Sequence, residues 1–271
     1  MLPAPRVVLF DLDNTLFDHG GAVVQGLRAA RARHAGLRRM PWPELLRRYD
    51  ELLTETERPV LTGKLSLTVA RERRFRRLIA ETGAISTLEE ARTLAKVYRE
   101  RYQGSRQAMR GARALLASYR RDGIPVGIVT NNLVEEQEDK LAVIGLRSLV
   151  SFLVTSEEVG ATKPSPEIFR TALRRGGVEP AETRMVGDSW NSDILGAAGL
   201  GIPAIWYNPR GAPIPAGPIV PVLESFAPAY RARSRIAAWE GSYEPGAPSR
   251  PAATEGIIQP TRASKSRRRA A

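Results

Sequence analysis

Residues Val7-Val8-Leu9-Phe10 form an unbroken apolar run that ends in two carboxylates one residue apart, Asp11 and Asp13, followed at once by Asn14 and Thr15. A strand with one wet face alternates apolar and polar residues. Four apolar residues in a row therefore predict a strand covered on both faces, as in the interior of a parallel sheet. Asp11 then stands at the carboxyl end of that strand, the edge where open α/β sheets bind their ligands. Two acids so close together are costly unless a cation neutralises them, and a divalent metal is the obvious candidate.

Four further apolar segments have strand character: Pro125–Val129, Leu149–Val154, Arg184–Val186 and Pro203–Trp206. Helical patterns lie between them. Leu115, Leu116 and Tyr119 share one face of the first, and Leu133–Ile144 and Pro166–Arg175 follow, with Gly145 and Gly176-Gly177 as stops. Strict alternation of strand and helix predicts an α/β fold, a Rossmann-like parallel sheet with helices on both faces.

The first crossover breaks that rhythm. Between Asp18 and Met109 lie about ninety residues, far beyond an ordinary connection, and their apolar residues keep helical spacing. Leu45, Leu46, Tyr49, Leu52 and Leu53 form one stripe; Leu88, Ala91, Ala95, Tyr98 and Tyr102 form another; Phe75, Leu78 and Ile79 form a third. This predicts an all-helical insertion. The expected division is a core over residues 1–18 and 109–222, a helical cap over 19–108, a short basic helix within 223–240 and a disordered basic tail over 241–271. The Pro-, Ala-, Ser- and Arg-rich tail has too little apolar surface to offset its ordering entropy. Ile219–Val222 reads as an edge strand.

Composition enters mainly by exclusion. There is no cysteine, which rules out disulfides and thiolate metal sites. The first strand begins within a few residues of the start, leaving no room for a signal peptide, and no run approaches the roughly 18 apolar residues of a membrane span; a cytoplasmic location with no membrane contact is expected. Half of the net charge of +12 comes from Arg210 onward, where ten Lys or Arg face four Glu.

Three segments end strands with polar groups: Thr130-Asn131-Asn132, the loop carrying Lys163-Pro164, and Gly187-Asp188-Ser189 with Asp193 five residues after Asp188. Each residue alone has a mundane account as a cap or a solvated loop residue. Because strand ends in a parallel sheet converge on one edge, their joint occurrence predicts a shared cleft. Other motifs fail. Asp11, Asp13 and Thr15 mimic the start of a calcium loop, but Leu16 stands where glycine is needed and Ala22 where glutamate is needed. His19 and His34 have no partner at metal-ligand spacing and read as surface or cap residues. No Gly-Lys-Ser/Thr phosphate loop occurs.

From Arg6 to Asn208 the chain resembles the haloacid dehalogenase-like hydrolase superfamily, in the subfamily whose helical cap follows the first strand. Asp11-Leu12-Asp13-Asn14-Thr15 resembles its first motif, Thr130 its second, Lys163-Pro164 its third, and Gly187-Asp188 with Asp193 its fourth. The resemblance implies that Asp11 is a nucleophile that becomes an aspartyl-phosphate. It implies Mg²⁺ held by the Asp11 carboxylate, the Asp13 backbone carbonyl and Asp188. Asp13 is then the general acid and base. Lys163 and Thr130, with backbone N–H groups near Asn131, bind the phosphoryl oxygens. Asp193 supports the metal's waters or orients Lys163.

Dehalogenating members lack an aspartate at the position of Asp13, because halide leaves without a proton, so Asp13 points to phosphate transfer. The reading is a phosphomonoester hydrolase of a small phosphorylated substrate, active as a monomer or homodimer, with a phosphomutase as the alternative. A different class, a nucleic-acid-binding module using Lys265 and Arg267–Arg269, is the further alternative; the tail's lack of interleaved aromatics disfavours it. Arg71, Arg73, Arg74, Arg76 and Arg77 read mostly as a solvated helix face, or else supply a cation for an anionic substrate. Trp190 either lines the pocket or packs at a helix start.

Overall fold

The computed structural model describes residues 4–239 and 241–242. Its six strands are all parallel and form one sheet in the order β3-β2-β1-β4-β5-β6: β1 (Val7–Phe10), β2 (Val126–Thr130), β3 (Phe152–Thr155), β4 (Thr183–Gly187), β5 (Ala204–Tyr207) and β6 (Val222–Leu223).

The central strand behaves as its sequence demands. All four residues of β1 are at most 1% exposed. Val8 and Phe10 point into a core shared with Leu115, Leu116 and Tyr119 of α6 (Ala112–Arg121), while Val7 and Leu9 point into a second core with Ile168 and Phe169 of α9 (Pro166–Gly176). Two dry faces are why the strand tolerates no polar residue until it ends at Asp11.

Between β1 and β2 run α1 (His19–Arg33), α2 (Ala35–Arg39), α3 (Trp42–Leu61), α4 (Leu67–Glu81) and α5 (Leu88–Gln103) before α6 returns to the sheet. This is the inserted helical cap. Helix α5 packs against α1 and α4, and α4 also packs against α3. The predicted stripes supply the seams: Tyr49, Phe75, Tyr98 and Tyr102 form a chain of ring contacts at 5.2–6.0 Å. Leu88 is the exception; it is the first residue of α5 and stays exposed, before the stripe reaches its neighbours. The remaining helices are α7 (Val134–Val143), α8 (Ser156–Val159), a π-helical turn over Trp190–Leu195, α10 (Gly196–Ala198) and α11 (Ala229–Ala238).

Several element boundaries shift from expectation. A 3-10 turn takes Arg147–Leu149, and β3 starts only at Phe152. The edge strand falls at Val222–Leu223 instead of Ile219–Val222, because Pro221 has no N–H and joins the ladder only through its carbonyl, which accepts from Trp206 N at 2.9 Å. Ile219 bridges to Ser242 instead. The basic helix is α11, flanked by Pro228. Residues 243–271, with Lys265 and Arg267–Arg269, lie outside the described residues. No described helix is long and apolar enough to cross a membrane.

Candidate active site

The carboxyl edge of the sheet brings four separate segments together. Asp11 directly follows β1 and Thr130 ends β2; Asp188 directly follows β4, with Asp193 in the π-helical turn beyond it. Asn14 has φ 62°, a left-handed conformation that asparagine tolerates better than most residues, and its Oδ1 accepts from Gly20 N at 2.8 Å. That turn brings Thr15 back under the sheet edge. Its buried hydroxyl accepts from Asp188 N at 3.1 Å and donates to Asp188 Oδ1 at 3.3 Å, locking the β1 loop to the β4 loop. A Cβ at Gly187 would lie 2.2 Å from Asp193 Oδ2, so the backbone must pass this point without a side chain.

Lys163 is the hub. Its Nζ, 3% exposed with the rest of the side chain, donates to Asp11 Oδ1 at 2.6 Å, to Asp193 Oδ1 at 2.6 Å and to the Val129 carbonyl at 2.8 Å. Asn131 clamps the lysine's own backbone in both directions, with Lys163 N donating to Oδ1 and Nδ2 donating to Lys163 O. Its side chain is therefore committed to positioning, which leaves only its backbone for the expected phosphate contact. Asp193 also accepts from Ser189 N at 3.1 Å.

Asp11, Asp188 and Asp193 offer carboxylate oxygens within 4.8 Å of one another. Burial pushes the Asp11 carboxyl up to about 7, opposed by Lys163 and reinforced by Asp193. For Lys163, burial favours the neutral amine, but the two carboxylates overcome it and raise its pKa above the ordinary value. With all three acids ionised, one ammonium leaves an excess of two negative charges, matched by one divalent cation with hard oxygen ligands. The donor set therefore fits Mg²⁺. Asp193 joins this carboxylate trio, whereas the Asp13 carboxylate is engaged elsewhere.

Lys140 and Gln137, one turn apart on α7, hold Asp13. Lys140 Nζ lies 2.7 Å from both of its oxygens and is 3% exposed; Gln137 Nε2 donates to Asp13 Oδ2 at 3.0 Å and to Thr130 Oγ1 at 2.6 Å. Burial alone would raise the Asp13 carboxyl, but Lys140, His19 and Gln137 outweigh it and hold it well below the usual carboxylate range. Neither Lys140 nor Gln137 is marked by the sequence motifs; the only signal is their i, i+3 spacing on the helix that follows Thr130. His19 also departs from expectation. It is partly buried, bonded to Tyr102 OH at 3.0 Å, 3.7 Å from Asp13, and lowered to about 4 by burial. His34 does cap α2, accepting from Leu37 N.

These groups open into a cleft of about 910 Å³ roofed by residues of α3 and α4. Trp190 is fully buried and packs edge-on against Trp206 at 5.2 Å, so of its two readings the structural one is observed. Of the five cap arginines, Arg73, Arg76 and Arg77 are exposed and Arg71 pairs with Glu136; only Arg74 is buried, and it lines the cleft.

A family model described as haloacid dehalogenase-like hydrolase matches residues 5–201. The chain belongs to that family. The matched span covers β1 through the turn before β5 and includes every motif residue above. A phosphoserine phosphatase from Thermus thermophilus is 35% identical over 218 residues, covering 76% of this chain and 83% of the relative. A glyceraldehyde 3-phosphate phosphatase from Methanopyrus kandleri is 31% identical over 202 residues, covering 73% and 81%. Among solved structures, the magnesium-bound HAD-hydrolase YfnB from Bacillus subtilis superposes with a TM-score of 0.66 over 86% of this chain and all of the other, at 24% identity. That last likeness is one of fold. This member of the family is therefore a hydrolase with an acidic site able to chelate a divalent cation.

Proposed function

We propose that the protein is a Mg²⁺-dependent phosphomonoester hydrolase that works through an aspartyl-phosphate on Asp11. The observation that carries this reading is the second carboxylate, Asp13, held by Lys140 and Gln137 in the same cleft that Asp11 lines. A reaction that expels halide has no use for such a group; one that expels an alkoxide does. Both relatives named above are phosphatases by name, and they differ in what the phosphate leaves from.

In this reading Asp11 attacks phosphorus, and the bond to the leaving oxygen breaks as Asp13 hands that oxygen a proton. Asp13, again a carboxylate, then takes a proton from the water that attacks the phosphorus of aspartyl-phosphate, which returns Asp11 and releases inorganic phosphate. The pairing with Lys140 favours the ionised form of Asp13, suited to the second half-reaction; the first requires Asp13 to take up a proton, which weakens that pair. Lys163 and Thr130, with backbone N–H groups near Asn131, bind the phosphoryl oxygens. Asp193, bonded to Lys163 Nζ, orients the lysine. Asp11, Asp188 and the Asp13 backbone carbonyl would hold Mg²⁺, which when bound neutralises charge between an anionic nucleophile and an anionic substrate.

Purified protein should release phosphate from an aryl phosphate with Mg²⁺ and stop when the metal is chelated. Substitution Asp11→Asn should abolish release while the circular dichroism spectrum is retained. Turnover surviving in Asp11→Asn would overturn the assignment of the nucleophile.

A further inference from the structure

Arg74 differs from every other arginine of the cap. It is 5% exposed, yet it lines the active-site cleft opposite the sheet edge. Its Nε donates to Thr56 Oγ1 at 3.0 Å and its Nη1 to Tyr49 OH at 3.3 Å, and the guanidinium lies 5.8 Å from the Tyr49 ring centroid. Thr56 passes its own proton to the Leu52 carbonyl at 2.8 Å, leaving its lone pair for the arginine. Nη2 has no acceptor, and no carboxylate pairs with the group, among the described residues. The neighbouring arginines are treated otherwise: Arg71 and Arg99 share Glu136, and Arg77 pairs with Glu55.

A buried guanidinium is normally paired with an anion, because its desolvation is otherwise uncompensated. Here two neutral hydroxyls fix its plane, and the remaining edge of a fork suited to bidentate anion recognition is left over. Glu57 also lines the cleft, but it is exposed and makes no pair with Arg74, and Arg58 beside it carries the opposite charge. The scissile phosphate already has Lys163 on the sheet side. The geometry points to a second anion on the substrate: we infer that the leaving group carries a carboxylate or a second phosphate, bound by Arg74. This rests on the phosphatase reading for the first anion and extends it to the leaving group.

Non-hydrolysable pairs separate the two claims. In calorimetric titrations of the protein in excess Mg²⁺, 3-phosphonopropanoate should bind at least about tenfold tighter than propylphosphonate, as expected when a charged hydrogen bond is gained. Propane-1,3-bisphosphonate tested alongside identifies which second anion fits better, and a gain with either supports the inference. Arg74→Met should bring the compounds within about twofold of each other, whereas Arg76→Met, exposed on the same helix, should keep the difference. If Arg74→Met fails to fold, Thr56→Val, which removes only the Nε acceptor, should reduce the preference several-fold. Equal binding of the compounds by the unaltered protein overturns the inference. So does an Arg74→Met variant that weakens both equally, since that places the arginine on the first phosphate or in the scaffold. If the binding difference holds but no phosphomonoester is hydrolysed, the anion subsite stands and the hydrolase reading falls.

Discussion

Removing Lys163 is the sharpest physical perturbation of this site. Lys163→Met deletes three hydrogen bonds of 2.6–2.8 Å from an ammonium whose side chain is 3% exposed. It leaves the Asp11 and Asp193 side chains, 8% and 1% exposed, facing each other without their shared counter-charge. Breaking a buried pair by removing one partner costs about 3–5 kcal/mol, a large part of the roughly 5–15 kcal/mol that holds a domain folded.

The sign with pH follows from the Asp11 carboxyl. In Lys163→Met the Asp11 carboxyl loses the cation that opposed its burial, so it titrates further above its unfolded value of about 3.9. A raised carboxylate pKa means that the folded state binds more protons than the unfolded one. Lowering the pH through that raised value therefore recovers stability, by about 1.4 kcal/mol per pH unit for each extra proton bound. In the unaltered protein the raised Lys163 pKa keeps the ammonium charged across this window. Urea unfolding of metal-free protein, followed by circular dichroism, should show the full deficit at pH 8 and a smaller one at pH 5. A deficit below about 1 kcal/mol, or one equal at both pH values, would refute the placement of Lys163 as the counter-charge of two buried acids.

Lys140→Met removes the cation that keeps Asp13 ionised as the base of the second half-reaction. Turnover of an aryl phosphate, whose good leaving group makes that half-reaction limiting, should therefore slow by about 10- to 100-fold while phosphoryl-enzyme accumulates. Slowed turnover with no accumulation of phosphoryl-enzyme would assign Lys140 a purely structural part. Gly187→Ala should cost activity and lower the melting temperature, because the new Cβ meets Asp193 Oδ2 at 2.2 Å; unchanged melting would show that the turn has room. Thr15→Val should raise the Mg²⁺ concentration needed for half-maximal activity, as Asp188 loses the hydroxyl that fixes it. An unchanged Mg²⁺ titration would dismiss that support.

Much of the sheet and its site was legible because it depends on local rules. An apolar run ending in Asp11 names a doubly covered strand, and polar residues just past successive strands must meet on one edge of a parallel sheet. What escaped lies across elements. Lys140 is one polar residue among many on α7, and its pairing with Asp13, 127 positions away, depends on how that helix docks. His19 looked isolated because Tyr102 and Asp13 reach it only in the fold. Arg74 is intermediate. It stands four residues before Leu78 and one before Phe75, on the buried side of its helix, so helical phase separates it from Arg73 and Arg76. Which carboxylate it lacked could be read only from the folded chain.

The central claim is that Asp11 carries the phosphoryl group during turnover. The Asp13→Asn variant, impaired in activating the second water, should be mixed with substrate and Mg²⁺, quenched in acid and digested. Mass spectrometry should then find one phosphoryl group on the peptide containing Asp11, at higher occupancy than in the unaltered protein and absent without Mg²⁺. Substrate turnover with that peptide unmodified at every quench time, or with the phosphoryl group on another residue, would contradict the account.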